Sequence, residues 1–219
     1  MPRIARLVVP GYPHHVTQRG NRRQSVFFCD EDYLAYVKLM AFWCCKHGVD
    51  IWAWCLMPNH VHLIAVPQKE ESLARALGEA HRRYTRRINL RENWRGHLWQ
   101  ERFASFPMDE QHLLAAARYI EMNPIAAHLV EHPDEYRWSS ARAHLARQDD
   151  ELVKVAPLLD LVPDWQGFLK LSPKQEVDLF QRHERTGRPL GTDSFVDHLE
   201  QTLQRTIRPR KPGPKGERR

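Results

Sequence analysis

Residues 49–67, VDIWAWCLMPNHVHLIAVP, constrain the fold more than any other stretch of this chain. Two runs rich in β-branched and aromatic residues meet at Met57-Pro58-Asn59, which reads as two strands and a short connection. Both runs carry apolar side chains at odd and even positions, so both faces need cover and both strands read as central ones. Two polar residues interrupt this pattern. Successive side chains of a strand point to opposite faces, so His60 and His62 share one face while Val61 and Leu63 take the other.

The flanking segments supply the covering layers. HHVTQRGNRR reads as a strand, His14 to Thr17, running into a polar, basic loop. Asp30 to His47 has helical character, with Asp30 as N-cap and Gly48 as stop. A second helix starts at Ser72 and buries Leu73, Leu77, Ala80, Tyr84 and Ile88, which recur at helical spacing. Its other side carries Arg82, Arg83, Arg86, Arg87 and Arg91. HLWQERFASFPM reads as a further strand, and DEQHLLAAARYIEMN as a helix burying Leu113, Ala117 and Ile120. The order βαββαβα predicts an α+β fold of ferredoxin-like or RRM-like type, an antiparallel sheet with packed helices. After about residue 146 the sequence predicts a separate helical extension, with helices near 174–185 and 193–205.

With 219 residues, 42% of them hydrophobic, the chain can build a packed core. No apolar run is long enough for a bilayer and the first residues lack a signal-peptide core, so the expected location is the cytoplasm, on the nucleoid, with no membrane partner. Cys29, Cys44, Cys45 and Cys55 form no CxxC pair and read as reduced thiols. The net charge of +6 lies entirely between residues 205 and 219, where seven basic residues face one acid. This segment, rich in Pro, Gly and cations, cannot build a core; it reads as an arm attracted to a polyanion or as a solubilising terminus.

Two imidazoles on one face can hold a metal, and equally can be hydrogen-bonded strand residues. The chain has no HExxH helix and no paired cysteines to complete a zinc site. Oxygen ligands beside imidazole suit Mg²⁺ or Mn²⁺ instead. RYIEMNP, residues 118–124, puts Tyr119 and Asn123 four apart, on one face of a helix, offering a nucleophile beside an oxygen ligand. Asn123 before Pro124 also fits an N-cap followed by proline.

Three motifs in this order, HHVTQRGNRRQSVF, MPNHVHLI and RYIEMNPIAAHLV, resemble the single-tyrosine HUH transposases of the IS200-like superfamily, most closely the REP-associated tyrosine transposases of bacteria. The resemblance runs from about Val8 to Leu145, and HERTGRPLG extends it. It implies an HUH catalytic domain over 1–146, a helical extension over 147–206 and a basic DNA-binding tail over 207–219. It implies that His60 and His62 are the HUH pair, Tyr119 the nucleophile and Asn123 the third metal ligand, where related enzymes commonly have glutamine. The activity implied is metal-dependent nicking and joining of single-stranded DNA through a 5′-phosphotyrosine. His112 or a metal-held water would assist the tyrosine, and activity is expected to fall below about pH 6 as the histidines protonate.

The implied partner is a REP hairpin preceded by a guide tetranucleotide. Candidate DNA contacts are Arg19, Asn21, Arg22 and Arg23, then Trp99, Gln100 and Arg102, then Arg82, Arg83, Arg86 and Arg87; all also read as ordinary solvated surface. In the tail, Arg210, Lys211 and Lys215 flank a Pro-Gly-Pro that resembles an AT-hook, although the Gly-Arg-Pro core occurs instead at Gly187-Arg188-Pro189. Monomer is favoured and homodimer left open. The alternatives are a rolling-circle-type replication initiator, which commonly has lysine one turn after its tyrosine, and a non-catalytic DNA-binding regulator.

Overall fold

A computed structural model describes residues 6–171 and 177–208. Four strands, β1 (His14–Arg19), β2 (Val49–Met57), β3 (His60–Pro67) and β4 (Ala104–Pro107), form one antiparallel sheet in the order β2-β3-β1-β4. The helices between them are α1 (Asp30–His47), α2 (Ser72–Arg91) and α3 (Glu110–Ala126). The α+β expectation holds, in the predicted order. Gly48 ends α1 in the left-handed region at φ 64°, where L side chains are disfavoured. The five residues expected in the buried stripe of α2 are all fully buried.

Local assignments differ at four points. Cys29, not Asp30, precedes α1, and Asp30 sits in the first turn. The strand expected across HLWQERFASFPM shrinks to Ala104–Pro107, with one isolated bridge from Trp99 to Gly20. Asn123 does not start a helix, because α3 runs through Pro124 to Ala126. Finally, β2 is an edge strand. Its outer edge is covered by later backbone, which lets it stay apolar: Leu56 N–H donates to Trp138 O (2.8 Å), Ser140 N–H to Trp54 O (2.9 Å) and Lys154 N–H to Ile51 O (2.8 Å).

The sheet has two differently used faces. α1 and α2 pack on each other and on one face, while α3 lies across β2 and β3 on the other. Residues paired across strands share a face, so the register Arg19↔His60, Thr17↔His62 and His15↔Ile64 brings His15, Thr17, Arg19, His60 and His62 to the α3 side. Ala116 and Ala117, both fully buried, let α3 approach that face closely.

Residues after 146 and the short stretch before them form α4 to α8: Ala141–Ala146, Ala156–Leu161, Trp165–Leu169, Val177–Thr186 and Asp193–Leu203. α4 to α7 share the main core, through Ala143, Leu158, Trp165 and Phe180, as does Leu190 after them. α7 packs against β4, and Leu190 bridges to Met108 beside it. α8 then packs Leu199, with Ile207, against Leu7 and Val9 near the start of the chain.

Candidate active site

The α3 face of the sheet holds a polar cleft of about 670 Å³ lined by Thr17, Arg19, Arg23, His60, His62, Gln100, Arg102, Glu184 and Arg185, among others. Period-two alternation along β3 delivers both histidines to it. Their rings lie nearly edge to face with centroids 4.8 Å apart. α3 brings Tyr119 to the same place, its ring perpendicular to that of His62 at 5.5 Å. The convergence expected of His60, His62 and Tyr119 therefore exists within one chain.

Each histidine has one nitrogen tied up. His60 Nδ1 lies 2.6 Å from Asn59 Oδ1. Because the Asn59 amide donates to Arg23 O (3.0 Å), its oxygen must accept, so His60 carries its proton on Nδ1 and leaves Nε2 bare. His62 Nδ1 lies 3.3 Å from His15 Nε2, and His62 Nε2 is buried without a hydrogen-bond partner among the described residues. A buried ring nitrogen left open toward a polar cleft is what an imidazole ligand presents before a cation arrives. The residues fit a divalent cation.

Burial sets the electrostatics. It lowers His60 to about 4, helped by Arg19, and drives His62 well below its ordinary value, helped by His60 and His15. Desolvation therefore favours the neutral rings below pH 6, against the expectation that they take up protons near that pH. Burial raises Tyr119, as does the Glu184 carboxylate, while Asn123 and Arg19 act the other way. The Asn123 amide also donates to Tyr119 O (3.1 Å), which directs its oxygen away from the helix backbone. His112 is engaged elsewhere, 2.6 Å from Asp109 Oδ1 at the start of α3.

Other expected DNA contacts divide. Arg19, Arg23, Gln100 and Arg102 line the cleft, and Asn21 and Arg22 belong to the turn beside it. Trp99 does not belong to this group. It is buried against His81 and Tyr84, with no face for a nucleobase. Arg82, Arg83, Arg86 and Arg87 lie exposed on α2, away from the cleft. Arg82 and Arg83 both pair with Glu79 (2.7 and 3.4 Å), and Arg83 also covers the Trp43 ring. Gly187-Arg188-Pro189 is no free arm: Gly187 N–H caps α7 at His183 O, and Arg188 donates to Ile207 O. Arg210, Lys211 and Lys215 lie outside the described residues.

Several residues at the site were not singled out from the sequence, Thr17 and Arg185 of the cleft wall among them, and four bear on the histidines and the tyrosine. His15 contacts His62; Asn59 orients His60; and α7 contributes Phe180, 5.2 Å from the Tyr119 ring, and Glu184. Ligand atoms of His15, His62 and Glu184 lie within 4.8 Å of one another. The HH pair in β1 was visible, but only strand register tells which of the two faces the site. Glu184 lies inside the HERTGRPLG stretch that extends the resemblance, but nothing in that stretch says that it reaches the histidine face.

Comparison with known proteins agrees with the fold. No curated protein matches the sequence. Among solved structures, a REP-associated tyrosine transposase bound to a REP hairpin is similar in fold, with 20% identity, TM-score 0.58, and 67% of this chain and 87% of that one covered. A presumed transposase from Deinococcus radiodurans R1 has 23% identity and TM-score 0.39, covering 55% of this chain and 96% of that one. The family model for IS200-like transposases matches residues 9–123, more than half of the 219, and the chain belongs to that family.

Proposed function

We propose that this transposase nicks and rejoins single-stranded hairpin DNA, using Tyr119 as nucleophile with a divalent cation held by His60, His62 and Asn123. The observation that carries the reading is the 5.5 Å approach of the Tyr119 ring to His62, whose Nε2 is open and buried. Mg²⁺ or Mn²⁺ suits two neutral imidazoles and an amide oxygen, and such an ion, when bound, withdraws charge from a phosphate oxygen.

The chain's own groups do the rest. Arg19, Arg23 and Arg102 draw the backbone into the cleft, and the phenolic oxygen of Tyr119 attacks phosphorus in line. The P–O3′ bond breaks; the departing oxygen takes a proton and becomes a free 3′-hydroxyl, while the 5′-phosphate stays on Tyr119. Since one phosphodiester replaces another, a second 3′-hydroxyl reverses the step without an external energy source. Phenol ionises near pKa 10 and burial raises it further here, so Arg19 and the Asn123 amide serve to favour the phenolate. Both partners come from one chain, so a monomer suffices. The solved relative is bound to a REP hairpin, which makes a REP element with its guide tetranucleotide the substrate to try first.

The test uses a labelled REP-type hairpin with Mn²⁺. An SDS-resistant adduct that retains a free 3′-hydroxyl fragment, and that disappears in Tyr119→Phe, is the expected result. DNA binding without any adduct from the wild-type chain would instead make this a non-catalytic regulator. Removing the residues after 208, which leaves Ile207 packed on Leu7 and Val9, should flatten the salt dependence of binding by about 0.7 to 0.9 log units for each phosphate that goes unneutralised.

A further inference from the structure

The orientation of His62 has a cause one residue further out. Its ring is almost parallel to that of His15 (6°), with centroids 5.4 Å apart and the nearest nitrogens, His62 Nδ1 and His15 Nε2, at 3.3 Å. Beyond His15, its Nδ1 is buried without a hydrogen bond and faces Glu184 Oε1 at 4.0 Å. Phe106 and Phe180 pack edge-on against the His15 ring at 5.2 and 5.5 Å and hold it in place.

With Glu184 ionised, one proton arrangement suits these contacts best. If His15 donated from Nε2, its bare Nδ1 would face a carboxylate oxygen, and His62 would carry a buried Nε2–H with nothing to receive it. With the proton on His15 Nδ1 instead, Nε2 accepts from His62 Nδ1–H, and His62 Nε2 is left as a lone pair toward the cleft. Metal-bound histidines generally donate their other ring N–H to an outer partner that fixes tautomer and orientation.

We propose that Glu184, His15 and His62 form a carboxylate–imidazole–imidazole chain in which His15 and Glu184 are positioning residues for the cation ligand His62. The inference rests on the metal reading above and adds to it. His60 is served by Asn59, from its own turn, but His62 is served through a residue of α7, beyond the region matched by the family model. The C-terminal helices thereby become part of the catalytic centre.

The test uses the full-length chain with ¹⁵N-labelled histidine. Long-range proton–nitrogen spectra of the metal-free protein should show His62 protonated on Nδ1 and bare on Nε2. In His15→Phe that preference should vanish and Mn²⁺ affinity, measured by calorimetry, should fall by about 10- to 100-fold. His15→Gln, whose amide oxygen can accept from His62, should restore most of the affinity. Glu184→Leu should weaken Mn²⁺ binding by about tenfold and Glu184→Gln by less. Thermal melts check that each variant is folded. An Nε2–H tautomer at His62, wild-type Mn²⁺ affinity in His15→Phe, or tighter binding in Glu184→Leu would each overturn the proposal; the last would mean that α7 only covers the site. Should the wild-type chain bind no Mn²⁺, the metal reading fails, and the metal-free spectra still decide the chain.

Discussion

Asn59 links the histidine face to a strained loop. Its amide bridges His60 Nδ1 and the carbonyl of Arg23, and both Arg22 and Arg23 have positive φ (54° and 61°). For side-chain-bearing residues this conformation costs on the order of 1 kcal/mol each, so the surrounding contacts must hold it. Gly20 is one of them: a Cβ there would meet Gln24 O at 2.2 Å, a backbone atom that cannot step aside. Asn59→Ala should therefore release His60 to rotate and weaken Mn²⁺ binding by about tenfold or more, as read by calorimetry, with the fold intact. Unchanged affinity would mean that the turn alone orients the ring. At this scale the sequence made legible the residues whose roles follow from local periodicity. His60 and His62 share a face because strands alternate, and Tyr119 with Asn123 because helices repeat. His15 and Glu184 were not legible, since which of two adjacent histidines faces inward, and which distant helix meets it, depends on register and tertiary packing.

Among the elements, α3 carries Tyr119 on one side and its anchor on the other. Glu121 is fully buried and accepts from Ser140 Oγ (2.6 Å) and Trp165 Nε1 (2.8 Å), with His144 Nδ1 at 2.6 Å. Those partners come from residues 138–165, the same stretch that covers the edge of β2, so the tyrosine helix is pinned to its own sheet. Glu121→Leu would strip three buried donors of their acceptor and should cost about 3 to 5 kcal/mol, measurable as a lower urea midpoint. A loss under about 1 kcal/mol would show that packing of Ala116 and Ala117 suffices. α2 offers a contrast within its basic face. Arg83 is occupied by Glu79 and Trp43, whereas Arg86 borders a concavity of about 470 Å³ shared with Asn89, exposed Trp94 and Arg95. Arg86→Ala should lower the salt slope of hairpin binding by about 0.7 to 0.9, and Arg83→Ala should change it less. Equal effects would argue against a defined track along α2. The buried stripe of this helix was readable from its spacing; the division of its arginines was not, because it depends on what α1 presents opposite.

For the whole molecule, the histidines that build the site also set its limit in acid. Burial lowers His14 and His60 to about 4, His15 and His81 to about 3, and His62 well below 6.5. The unfolded chain takes up these protons near pH 6.5 and the folded chain does not, so the stabilisation from neutral rings is complete above 6.5 and drains away as pH falls. By pH 5 each of the four rings lowered to about 3 or 4 costs roughly 2 kcal/mol, on the order of 8 kcal/mol together, and His62 acts in the same direction. Glu184 has the opposite sign: burial raises it to about 7, so its protonation on acidification favours the folded state and returns roughly 2 kcal/mol. The net loss, about 6 kcal/mol before His62 is counted, falls within the roughly 5 to 15 kcal/mol that ordinarily separates folded from unfolded chains. Acid unfolding is therefore expected near pH 5, steeply, with several protons taken up together. Adduct formation should persist below pH 6 and then collapse along with the far-ultraviolet circular dichroism signal. A shallow one-proton decline in adduct around pH 6, with the dichroism unchanged, would mean that a ligand histidine titrates in the folded state and that its burial is less complete than the sheet and α3 imply.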